Sequence, residues 1–205
     1  MDACAQGSYR HFDNQPRWYG ALSWWYNAST AARANLPADG TRAALRAANQ
    51  HVTLGHNNCG RPTGQFTSVG AYQGDHELFA NINSVGQCTN LFPNSHNTVS
   101  WGASDTGFLG VLCGNGFCVG GLCSFTESDM YLASNRGLRL SFPGGCSNLY
   151  DAEGVMTHEW GHAFGLDHVE GAGATDLTMF PFLDACRTNW RSLGLGDWLG
   201  MDALY

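Results

Sequence analysis

Residues 148–168 read NLYDAEGVMTHEWGHAFGLDH, and the last eleven of them, His158 to His168, decide what the rest of the chain must build. Apolar side chains at Ala152, Val155, Met156, Trp160, Ala163 and Phe164 recur at helical spacing. The stretch from Asn148 to Phe164 is therefore predicted to be a helix, its first turn capped by Asn148 or Asp151. Residues four apart on a helix share a face, so His158 and His162 offer two imidazoles to one ion from adjacent turns. Glu159 stands beside them and can reach a water next to that ion without being a ligand, the placement a general base needs. A straight helix would carry His168 about 9 Å beyond His162, out of range of the same ion. Gly165 removes the difficulty, because glycine accepts the left-handed conformation that lets a chain leave a helix sharply and turn back. One Zn2+ held by His158, His162 and His168 is the expectation, with a fourth position open to water and substrate.

Outward from this stretch, the 205 residues are long enough for one compact domain, and 43% hydrophobic against 13% charged places them among globular proteins. A single domain over residues 1–205 is expected, with an N-terminal part to about 165 and a C-terminal part over about 166–205. The formal charge of −7 has neither sign gathered into a run, which argues against nucleic acid as a partner. No apolar stretch approaches the roughly 20 residues that cross a bilayer, so membrane insertion is not expected. The opening MDACAQGSYR lacks the apolar run of a signal peptide. Eight cysteines, an even number set among Gly, Asn and Ser, read as four disulfides of unspecified connectivity, and hence as an oxidising, extracellular location with any secretion signal removed.

The segment Pro37–Val52, rich in Ala, Leu and Arg, is predicted to be a helix. From Gly64 to Leu140 the texture changes to short β-prone runs: FTSVGAY, ELFANI, TVSWG, FLGVL and DMYLA. With a first strand near Tyr9–Phe12 they suggest a sheet of about five strands. A last helix is expected from about Ser192 to Leu204. The seven tryptophans, Trp24 and Trp25 among them, read as packing residues, and His11, His51 and His56 as surface or satisfied histidines. The fold class is therefore α+β: a twisted, mostly parallel five-stranded sheet with a backing helix and an active helix, then a small C-terminal subdomain with one helix.

HEWGHAFGLDH resembles the zinc signature of the metzincins, and within them the matrixins, the group of the matrix metalloproteinases. The likeness continues through Met179, Phe180 and Pro181, which fit the family's methionine turn beneath the metal, and through Asp197, Gly200, Leu204 and Tyr205, which fit its last helix. WGASDTGFLG and TESDMYLA look like the edge strand and its neighbour in bacterial matrixin-like peptidases. The resemblance implies a metzincin-type zincin fold and a structural role for Met179. It implies a specificity pocket walled by Phe180, Pro181 and Phe182 and floored by Gly154, deep enough for large apolar side chains. It also implies that Leu109, Gly110, Val111 and Leu112 form the strand against which an extended substrate pairs. The chain departs from the family at Val169, where matrixins have serine. It also lacks a convincing structural-zinc segment, for which His76 and His96 are the candidates. Ca2+ sites are possible in such a protein but cannot be placed. Cys4 is read as a disulfide partner rather than a latency thiol.

The favoured reading is a secreted, monomeric zinc endopeptidase acting on protein or peptide substrates, with Glu159 as its catalytic base. Its alternatives are a zinc amidase on a specialised peptide or cell-wall substrate, and a non-catalytic binding module on the same scaffold.

Overall fold

A computed structural model describes the protein at residues 2–89, 95–142 and 144–205. In chain order it has strands β1 (Arg10–His11) and β2 (Leu22–Tyr26) and helix α1 (Ala38–Thr53). Strands β3 (Gly70–Asp75), β4 (Asn97–Gly102), β5 (Gly110–Val119), β6 (Leu122–Ala133), β7 (Leu138–Arg139) and β8 (Tyr150–Asp151) follow. Helix α2 (Ala152–Ala163), strand β9 (Leu166–Asp167) and helix α3 (Leu195–Leu204) come last, and short 3-10 helices lie at Ala28–Ala34 and Asn189–Arg191.

One five-stranded sheet has the order β3-β2-β4-β6-β5. Its first four strands run parallel, and β5 lies antiparallel to β6 at the edge. Strand β4 is buried at every residue, as expected of a central strand covered on both faces. Helix α1 turns Thr41, Ala44, Leu45, Ala48 and Val52 inward, a stripe at three- and four-residue spacing whose small members let it sit close. Trp160 of α2 ties the layers together: its ring meets that of Trp24 at 5.0 Å between centroids, and its indole N–H donates to the Leu45 carbonyl at 3.2 Å. The aromatic anchor fixes α2, and with it both helical histidines, relative to the sheet.

Two strand expectations need correcting. The strand expected near Tyr9–Phe12 is only Arg10–His11, and it pairs with Leu166–Asp167 instead of joining the main sheet. The place in the sheet belongs to Leu22–Tyr26, where Trp24 and Tyr26 point into the core. ELFANI forms no strand of the sheet. Its backbone is held by side chains: Asn27 Nδ2 donates to the Glu77 and Leu78 carbonyls, and Asn81 N–H donates to Asp129. Such a segment satisfies its polar backbone without a ladder.

The helices fall close to expectation. Asp151 caps α2, accepting from the Gly154 N–H at 2.8 Å, while Asn148 lies outside it in a left-handed conformation at φ 52°. The last helix starts at Leu195, three residues later than expected. The cysteines pair as Cys4–Cys59, Cys88–Cys113, Cys118–Cys123 and Cys146–Cys186. Among the described residues no helix is long and apolar enough to cross a membrane.

Candidate metal centre and cleft

Helix α2 carries His158 and His162 one turn apart and ends as Gly165 turns the chain at φ 98°. A side chain there would meet the Pro16 carbonyl oxygen at 2.6 Å, so the turn needs glycine for space as well as for conformation. Beyond it, β9 is held against β1, and His168 comes back toward the helix. Nε2 of His168 lies 3.1 Å from Nε2 of His158 and 3.1 Å from Nε2 of His162. Tetrahedral zinc with bonds of about 2.0–2.1 Å sets its nitrogen ligands roughly 3.3 Å apart, so the spacing fits that ion.

The outer nitrogens decide what the inner ones can do. His158 Nδ1 contacts the Thr178 carbonyl at 2.6 Å and His162 Nδ1 the Leu166 carbonyl at 2.8 Å. A carbonyl only accepts, so each Nδ1 carries the proton and each Nε2 turns a lone pair inward. Burial holds His158 well below the usual imidazole range and His162 down to about 4, and it lowers His168 as well. Neutral lone pairs that meet with no proton between them call for a cation. Among the described residues these three histidines are the one group of three or more His, Cys, Asp or Glu whose ligand atoms converge in this way. His76 and His96 instead stack near Trp25, and among the described residues they belong to no such group.

Glu159 is buried at 4% exposure, and burial pushes its carboxyl up to about 8. The charge of a bound cation acts in the opposite direction and favours the carboxylate. Its carboxyl rests against β5, where a Cβ on Gly110 would stand 2.6 Å from Oε1. The glycine of the edge strand gives the carboxyl its room.

Beneath the histidines, Met179 is buried and packs on Gly161 of α2, where an added Cβ would lie 2.3 Å from its sulfur. The turn that carries it is held by Asp197, whose carboxylate accepts from the Thr178, Met179 and Gly194 N–H groups at 2.7, 3.1 and 2.9 Å. Thr178 then presents its carbonyl to His158, so Asp197 acts on the metal site through one intervening residue.

A cleft of about 1060 Å³ opens over the three histidines and Glu159. Leu109, Gly110, Val111 and Leu112 at the start of the edge strand and Phe180, Pro181 and Phe182 after the methionine are all among its lining residues. Gly154 is not among its lining residues, and a Cβ there would meet Asp151 and Trp190 instead. Val155 and Tyr150 are among its lining residues. Arg136 and Asn135 also reach the cleft, although nothing in their local sequence announces it.

A helix carrying two imidazoles, a glycine turn delivering the third, and a methionine turn below, all under an antiparallel edge strand, is the arrangement of a metzincin metallopeptidase. The family description Peptidase_M10: Matrixin matches residues 4–205, and the chain belongs to the matrixin family. No curated protein matches it closely.

Proposed function

We propose that this chain is a secreted zinc-dependent endopeptidase that cleaves extended protein segments, with His158, His162 and His168 as ligands and Glu159 as general base. The observation that carries the reading is the meeting of three Nε2 lone pairs beside one buried carboxyl, at the floor of an open cleft. Zinc bound there supplies a Lewis acid that polarises a water and the scissile carbonyl. The chain's own residues do the rest. The outer edge of β5, which among the described residues has no neighbouring strand in the sheet, offers backbone groups that pair with an extended peptide. The Phe180–Phe182 wall and Val155 shape an apolar subsite next to the histidines. Glu159 accepts a proton from the attacking water and passes it to the departing amine. The four disulfides support an oxidising, extracellular location.

Glu159→Gln is expected to lower kcat/KM on a peptide panel by about 10³-fold while the protein still binds one equivalent of zinc. His162→Ala is expected to lose both metal and activity. Peptide hydrolysis that survives in Glu159→Gln, or in protein stripped of metal, would sink the reading.

A further inference from the structure

Arg136 follows β6 and lines the cleft, and among the lining residues it is the one Arg or Lys. Its guanidinium is fixed in place. One terminal nitrogen donates to the Ser104 carbonyl at 2.9 Å. The adjacent Asn135 clamps the same residue, donating to that carbonyl at 3.1 Å and accepting from the Ser104 N–H at 2.9 Å. Nε is shut off from solvent and has no acceptor among the described residues. A guanidinium carries five N–H donors, and with Nε enclosed it is the terminal nitrogens, only one of them bound to a carbonyl, that have donors left for a ligand.

Its charge is unanswered too. Arg10, Arg42, Arg187 and Arg191 each pair with a carboxylate, whereas among the described residues Arg136 pairs with none. The acidic groups that line the cleft are engaged elsewhere: Glu159 lies against Gly110, and Asp167 pairs with Arg10 at 3.0 Å. Arg136 is half-buried, and a cation partly withdrawn from water attracts an anion more strongly than one in open water. The planar fork suits a carboxylate, which it can bind in bidentate fashion.

We infer that Arg136 is a specificity-determining residue that recognises a carboxylate of the bound peptide at the end of the cleft where β5 begins, near Gly107. The inference rests on the endopeptidase reading and names its substrate class: peptides carrying an anionic group at one fixed distance from the cleaved bond, in addition to an apolar residue beside the histidines. The anion has two possible sources, an acidic side chain or the terminal carboxylate of the peptide.

The test uses the zinc-loaded full chain on matched peptides that differ by Glu or Gln at each position in turn, every pair made with a free and with an amidated C-terminus. Kinetics are read as the Glu-to-Gln ratio of kcat/KM within each enzyme, so a variant's overall activity does not enter. The wild-type ratio is expected to reach at least about ten-fold at one position, carried by KM, and to approach one in Arg136→Gln. Arg136→Glu is expected to reverse the choice and favour Lys at that position. A preference that follows the free C-terminus in place of an internal Glu supports the same contact and identifies its source. Equal cleavage of Glu and Gln peptides at every position, with no effect of amidation, overturns the inference, and the wild type alone decides this if a variant fails to fold. If no peptide of the panel is cut, it is the endopeptidase reading that fails.

Discussion

A methyl group on Gly110 would stand 2.6 Å from Glu159 Oε1 and 2.9 Å from its Cγ, and the buried glutamate has little space into which to retreat. Gly110→Ala is therefore expected to displace the base and lower kcat by about 10²-fold with KM and zinc content little changed, because the imidazoles are untouched. An unaltered kcat in zinc-replete variant would show that the carboxyl does not depend on this contact. Asp197 acts at one remove. Asp197→Ala leaves three buried N–H groups without their acceptor and is expected to cost about 2–4 kcal/mol in urea unfolding. It should also weaken zinc about 10–100-fold in chelator competition, since the Thr178 carbonyl that orients His158 loses its support. That His158, His162 and His168 meet beside Glu159 was legible in the sequence because four-residue spacing and one glycine are local features. Gly154 was misread because residues three and four before His158 share a helix face, and spacing alone does not say which turns to the cleft. Gly110 and Arg136 carry no local signal; their roles exist only once β5, the β6 end and α2 are brought together.

The start of α2 is where separate elements are fastened to the active helix. Asp151 caps it and is gripped by Arg191 through Nε at 2.9 Å and a terminal nitrogen at 2.5 Å. Arg191 also reaches Glu153 at 3.2 Å, and His51 of α1 donates from Nε2 to Glu153 at 3.0 Å, with His56 Nδ1 a further 3.1 Å from His51 Nδ1. The His51 hydrogen bond, with help from Arg191, holds the Glu153 carboxyl below its ordinary range against the opposing effect of burial. A carboxyl depressed by folding contributes stability above its unfolded value and loses that contribution as pH falls through the lower folded value. Glu153→Gln is thus expected to cost about 1–2 kcal/mol near pH 6, with the gap to wild type closing below about pH 4. Urea midpoints of both proteins across this range check it, and a gap that does not change with pH would contradict the assignment. The helices were readable from the sequence because their periodicity lies within one segment. The sheet was less so: LSWWY reads equally well as loop packing until β3 and β4 flank it, and ELFANI looks like a strand until Asn27 and Asp129 take its backbone groups.

Over the whole molecule, the disulfides join segments that lie far apart in the chain. Cys146–Cys186 spans 40 residues and encloses α2, the glycine turn and the methionine turn, whereas Cys118–Cys123 spans five at the tip of the β5–β6 hairpin. Loop-closure entropy makes the first worth about 4 kcal/mol and the second about 2, so paired serine substitutions should lower Tm about twice as far at the first site. Equal shifts would mean that closing the longer loop brings no extra stability. Zinc held by the three histidines would act as a further clasp, because two of them belong to α2 and the third lies beyond Gly165. Burial keeps all three imidazoles neutral, so an ion gained on folding meets little competition from protons. At free zinc about 1,000-fold above its dissociation constant, linkage gives about 4 kcal/mol, which for a domain of this size is a Tm difference of about 8–16 °C between zinc-loaded and chelated protein. The clasp is mutual, so His168→Ala should abolish most of that difference even though both helical histidines remain, and it should bring the variant's Tm close to that of the chelated wild type. A His168→Ala protein that zinc still stabilises in full would show that the ion binds within the helix alone and does not join the two parts.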